Sequence, residues 1–131
     1  MEGLKPGRIV YFVLDEMHAR SINGRYADAH SPAGVDATVK KSGVQIHVGN
    51  RVHAGDICPA MVTAVHTDTG LCNLKVMLDG NDIYWATSVD YHTDKRHGSW
   101  HWMFDGQAER YRPDRVERGQ DAVCAPSEKT E

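Results

Sequence analysis

Apolar and polar residues along the chain fall into a few short patterns, each with its own structural expectation. Residues 8–14, RIVYFVL, form a compact β-branched and aromatic run behind Pro6-Gly7, which predicts a strand. Asp15 then stands where it can cap a helix over 16–29, with Glu16 favourable in the first turn. Ala19, Ile22, Tyr26 and Ala29 follow i, i+3, i+7, i+10 and make one apolar stripe. Arg20 faces away from that stripe, and Asn23 and Arg25 lie on its flanks. Gly24 weakens the helix by about 1 kcal/mol relative to Ala.

From His30 to Asn50 the periodicity is lost. Ser31-Pro32, Gly34, Lys40-Lys41, Gly43 and Gly49-Asn50 read as an excursion with room for a short strand at Val44 to Val48. A loop of that length in a small domain is usually functional or disordered. Strand signals return at Ile57 to His66, Leu71 to Leu78 and Ile83 to Val89. Asp68-Thr69-Gly70 and Asp79-Gly80-Asn81-Asp82 separate them, and Asp-Gly suits turns that need positive φ, so an antiparallel meander is expected. A last strand, Ser99 to Phe104, carries Trp100 and Trp102 at period two. The expected fold is α+β, mostly β: a small antiparallel sheet or open barrel with one N-terminal helix, over residues 1–104. Residues 105–131 read as a charged C-terminal extension, partly disordered.

Composition narrows the function classes. The 131 residues fit one domain with one core. A formal net charge of -3 with 25% charged residues lacks the basic excess of a duplex nucleic-acid binder. Clustered arginines inside a mildly acidic protein can still hold a small anion. No apolar stretch reaches the length of a membrane span, and MEGLKPGR has no signal-peptide core, so a cytoplasmic protein is expected. Cys58, Cys72 and Cys124 are odd in number and show no C-x-x-C spacing, which fits reduced, buried thiols.

Catalytic and metal motifs are missing. The eight histidines form neither H-E-x-x-H nor a Cys/His ligand cluster. There is no G-x-S-x-G elbow, P-loop or G-x-G-x-x-G fingerprint, so no enzyme, metal site or cofactor is expected. Trp85, Trp100 and Trp102 could stack on a base, but the plainer reading fills a barrel core with them. Arg25, with Arg20 nearby, could fork onto a phosphate; the plainer reading is a solvated helix face. In VMLDGNDIYWATSVD, turn chemistry accounts for Asp79 and Gly80, and only partly for Asn81 and Asp82. It does not account for Thr87-Ser88.

An ordered set of segments surrounds that hairpin: INGRYAD at 22–28, GNRVHAGDICPAMV at 49–62, NLKVMLDGNDIYWATSV at 73–89 and GSWHW at 98–102. The set resembles small phage proteins of the anti-Thoeris sponge family (Thoeris anti-defence protein one), with LDGND-x-x-W-x-TS as the most specific marker. The resemblance covers roughly residues 8–104 with a gap at the excursion. Members of that family sequester cyclic ADP-ribose isomers, made from NAD by bacterial immune TIR proteins, without cleaving them. Some also bind cyclic oligonucleotides and assemble as dimers or hexamers. The resemblance maps the family's helix arginine to Arg25 and its pocket asparagine to Asn73. This chain departs from the pattern at Gly24, where a second basic residue is usual, at Met103, where Pro is usual, and in the long excursion. Those departures bear on ligand identity more than on fold.

A cyclic adenine dinucleotide offers a base, ribose hydroxyls and a pyrophosphate, so its site needs an aromatic wall, amide and carboxylate partners, and cations. Asn73, Asn81, Asp82, Thr87 and Ser88 are the candidate polar partners; Arg25, Lys75, Arg110 or Arg112 supply the positive charge. Strand alternation cannot place all of these on one face, so some are structural. A homodimer or higher homo-oligomer with sites at its interface is expected. The rival expectation is a phage structural protein, such as a capsid-decorating or tail accessory barrel, since fold alone does not fix function.

Overall fold

The computed structural model describes residues 1–29 and 49–111. The expected strand at 44–48, Cys124 and Arg112 therefore lie outside the described residues. Strand β1 (Ile9–Val13) leads into helix α1 (Glu16–Ala29), followed by β2 (Ile57–Val65), β3 (Cys72–Met77), β4 (Ile83–Tyr91) and β5 (Ser99–His101). A single 3-10 turn, Ala108–Tyr111, closes the described chain.

The strands close into a barrel in the order β1-β2-β3-β4-β5, with β1 pairing antiparallel to both β2 and β5. The meander β2-β3-β4 is antiparallel, as its turns require. The sheet is not purely antiparallel, because β5 runs parallel to β4 through Asp90↔Ser99 and Tyr91↔Trp100. That pairing extends β4 two residues beyond Val89 and shortens β5 to three residues, so the expected strand over 99–104 is half as long.

Closure gives the barrel an interior, and the alternating residues fill it. Val10, Phe12, Ala60, Val62, Leu74, Val76, Ala86, Val89 and Trp100 belong to one buried cluster. Trp100 is fully buried and its indole N–H donates to the Gly70 carbonyl at 2.7 Å, so its polar atom is satisfied inside the core. Trp102 packs edge-on against it at 5.0 Å. Trp85 corrects the core reading: it is 57% exposed. Its neighbours Tyr84 and Ala86 take the inward positions of β4, which turns the indole outward.

Helix α1 buries Ala19, Ile22 and Ala29, with Tyr26 half-buried on the edge of the stripe. Its N-terminus is a reciprocal cap. The His18 N–H donates to Asp15 Oδ1 at 2.7 Å, and the Asp15 N–H donates back to His18 Nδ1 at 3.2 Å. The His18 ring sits edge-on to Phe12 and Tyr84, and burial pushes its pKa below the ordinary 6.5 despite Asp15. His18 Nδ1 also lies 2.9 Å from Asp15 Oδ1, so the ring and the carboxylate meet within the same cap.

Asn23 ties the helix to the far side of the excursion. Its amide donates to the Val52 carbonyl at 2.8 Å and accepts from the Val52 N–H at 2.9 Å. The Arg51 guanidinium lies 4.6 Å over the Tyr26 ring. Packing also continues past Phe104. Gln107, 3% exposed, donates to the Ile9 carbonyl at 2.8 Å and accepts from Met103 N–H at 2.6 Å. Gln107 thus packs the chain after β5 against β1.

Candidate functional site

The polar residues of the β3-β4 hairpin divide into structural and surface groups. Asp79 makes the turn and also holds the segment before β2. Its carbonyl accepts from Asn50 N–H at 2.9 Å, and its carboxylate accepts from the Asn50 amide at 2.6 Å. Gly49 lies so close that a Cβ there would stand 2.8 Å from the Asp79 carbonyl oxygen, so only glycine fits. The GN and LDGND segments are thus two halves of one contact.

Asp82 and Arg25 are brought together. Arg25 Nε stands 3.0 Å from Asp82 Oδ2, and the guanidinium lies 5.4 Å from the Tyr84 ring centroid. Asp82 Oδ2 is buried and lacks an aligned hydrogen-bond donor, so the guanidinium holds it by charge and not by a directed bond. Asp82 Oδ1 accepts from the Ile83 N–H at 2.9 Å. The pair joins α1 to the start of β4, and Arg25 already has an anion. Asn81 is exposed at the turn.

Thr87-Ser88, which turn chemistry leaves unexplained, is a β-bulge. Register shifts between Cys72↔Val89 and Leu74↔Ala86, so two β4 residues oppose Asn73 alone. Ser88 takes φ 53°, a left-handed conformation uncommon outside glycine. Asn73 Oδ1 accepts the Ser88 N–H at 2.9 Å and lies 2.9 Å from His66 Nε2. With its oxygen engaged twice, Asn73 is first a brace for the bulge.

What remains on the outer face is a short row. Met61 pairs with Lys75, and Lys75 with Trp85, across β2, β3 and β4. The next row toward the turn puts Met77 beside Ile83. Met61, Ile83 and Trp85 are all exposed. Asn73, Lys75, Thr87 and Ser88 thus share the outer side of β3-β4 with an exposed indole, whereas Arg25 and Asp82 pair elsewhere. Arg110 is elsewhere again, with its guanidinium 4.9 Å over the Phe104 ring. Sequence reading missed Trp85 as a surface residue, although its parity with Ile83 and Thr87 marks the outward face.

Cys72 is buried and its thiol is pushed up to about 12; burial and Asp56 also raise the half-buried Cys58. Burial thus disfavours the thiolate form of both. No group of three or more potential metal ligands occurs among the described residues. No described helix is long and apolar enough to cross a membrane. Compared with family models, curated proteins and solved structures, the chain matches none.

Proposed function

We propose that this protein binds and sequesters a cyclic nucleotide signal of the cyclic ADP-ribose type without cleaving it. In this reading it is a phage protein that acts in the cytoplasm of an infected bacterium against Thoeris-type defence. The carrying observation is the exposed Trp85 beside Lys75, on the strand that bears the LDGND-x-x-W-x-TS resemblance. An indole more than half exposed contributes little to the core, but it offers a flat face for a base. Base-aromatic stacking contributes about 1–3 kcal/mol per base. Lys75, its cross-strand neighbour, supplies a point charge for a phosphate.

A dinucleotide held on this outer sheet face of one chain would stay partly in water. Met61, Ile83 and Trp85 form an apolar rim that a second copy can cover, enclosing the ligand between two chains. The same exposed rim also suits the rival reading, a virion component docked on its neighbours. Mass spectrometry separates these readings. Protein incubated with a cyclic ADP-ribose isomer is expected to deplete the free ligand and return it unmodified on heating. Linear ADP-ribose at multiple turnovers would make the protein an enzyme. Failure to bind any cyclic nucleotide, with abundance in purified virions, would favour the structural role.

A further inference from the structure

A second concavity lies away from the Trp85 row, where residues 102–109 fold back beside β1 and β5. It encloses about 500 Å³. That volume falls within the usual range for small-molecule sites, about 300–1,000 Å³. Its lining is unusually aromatic: Tyr11, Tyr91, His101, Trp102 and Phe104 all contribute. Phe104 is exposed there, and the His101 ring lies 5.7 Å from Tyr11 at a tilt.

His101 is the feature that packing does not explain. It is 9% exposed, it lines the cleft, and its Nδ1 is buried without a hydrogen-bond partner. Buried polar atoms in native proteins are nearly always paired. Burial, with Lys95 nearby, lowers the His101 pKa, which favours the neutral ring.

The charges around the cleft limit what can enter. Lys95, Asp105 and Glu109 are the charged residues of the lining, which is therefore mildly acidic. A polyanion would meet repulsion, whereas a neutral molecule with amine and hydroxyl donors would find two carboxylate acceptors. We propose that this cleft is a second ligand site, separate from the Trp85 row, for an uncharged nucleoside or a similar aromatic heterocycle. The base stacks among Tyr11, Tyr91 and Phe104, beside the His101 ring, and the sugar hydroxyls or an exocyclic amine reach Asp105 and Glu109. The site does not depend on the sequestration reading, and its ligand carries the opposite electrostatic requirement.

The test is a titration of the full chain with adenosine, guanosine, cytidine and AMP, followed by amide and side-chain NMR shifts. At least one nucleoside is expected to give saturable shifts centred on Tyr11, His101 and Phe104. AMP is expected to bind at least several-fold more weakly than adenosine. Phe104→Ala, at an exposed position, is expected to weaken nucleoside binding about tenfold with the amide spectrum otherwise retained. Trp85→Ala is expected to leave that binding unchanged. Absence of saturable shifts in the wild-type protein with every nucleoside, AMP binding as tightly as adenosine, or shifts abolished by Trp85→Ala would overturn the proposal. The wild-type shift map decides the matter even if the Phe104 variant fails to fold.

Discussion

Replacing Asn73 by Ala tests whether this side chain braces the fold or only lines a site. The substitution removes the acceptor for the Ser88 N–H and the partner of His66, both at 2.9 Å. Each is worth about 0.5–1.5 kcal/mol net, and both lie near solvent, so water recovers part of the loss. The working figure is about 1–2 kcal/mol of lost stability. Ser88 adds an independent handle. At φ 53° a residue with a Cβ is strained by roughly 1 kcal/mol, which glycine would relieve. Ser88→Gly is therefore expected to be neutral to stabilising, since glycine's larger unfolded-state entropy offsets part of the gain. Because Asn73 and Ser88 are in contact, the double variant is expected to deviate from additivity by at least about 0.5 kcal/mol. Urea denaturation of the four proteins, followed by tryptophan fluorescence, provides the cycle. An unchanged urea midpoint in Asn73→Ala, with additive double-variant energies, would refute the brace. Asn73 would then be free to serve a ligand alone.

Three further outcomes follow from other contacts. His18 and His101 both titrate below 6.5 in the folded protein, so the unfolded chain takes up protons first as pH falls. Stability is therefore expected to be full above about pH 6.5 and to decline below it, with the urea midpoint at pH 5.5 lower than at pH 7.5; a rise would contradict the burial of both rings. Trp85→Ala is expected to change stability by less than about 0.5 kcal/mol, as for a surface substitution, and to weaken cyclic nucleotide binding at least tenfold by calorimetry. Asn23→Ala breaks both hydrogen bonds to Val52 and is expected to cost about 1–3 kcal/mol, seen as faster amide exchange at Val52; unchanged exchange would show that the clamp contributes nothing.

Periodicity made the helix and the three meander strands legible because each depends on local alternation. Glu16–Ala29 ends where the stripe ends, and the Asp15 cap was visible as a residue type. The last strand was not readable in the same way. Whether Trp102 continues β5 depends on where β4 lies, and a parallel partner leaves no turn signal between them. The bulge at Thr87-Ser88 was visible only as surplus polarity, since bulges come from register and carry no fixed residue signature at a serine. Gln107 failed for a similar reason. A charged, irregular segment looks like a tail until its glutamine is found bound to a strand 98 positions away.

The hairpin motif separates into what the barrel needs and what it does not. Asp79 and Gly80 shape the turn and grip Asn50, Asp82 anchors Arg25, and Asn73 supports the bulge. All of these would be required of the same fold with any function, so they carry little functional information. Trp85 differs. Its outward position on β4 could be held by Thr, Val or Tyr with equal β propensity and less exposed apolar surface. An exposed indole flanked by Lys75, Met61 and Ile83 is a liability in a lone monomer, because it favours nonspecific association. Its presence makes sense if the face is covered in use, by a ligand, a second chain or both. On the proposed reading, Trp85 is the residue of LDGND-x-x-W-x-TS that a ligand would use, while Arg25 holds Asp82 through Nε with its side chain still part-exposed.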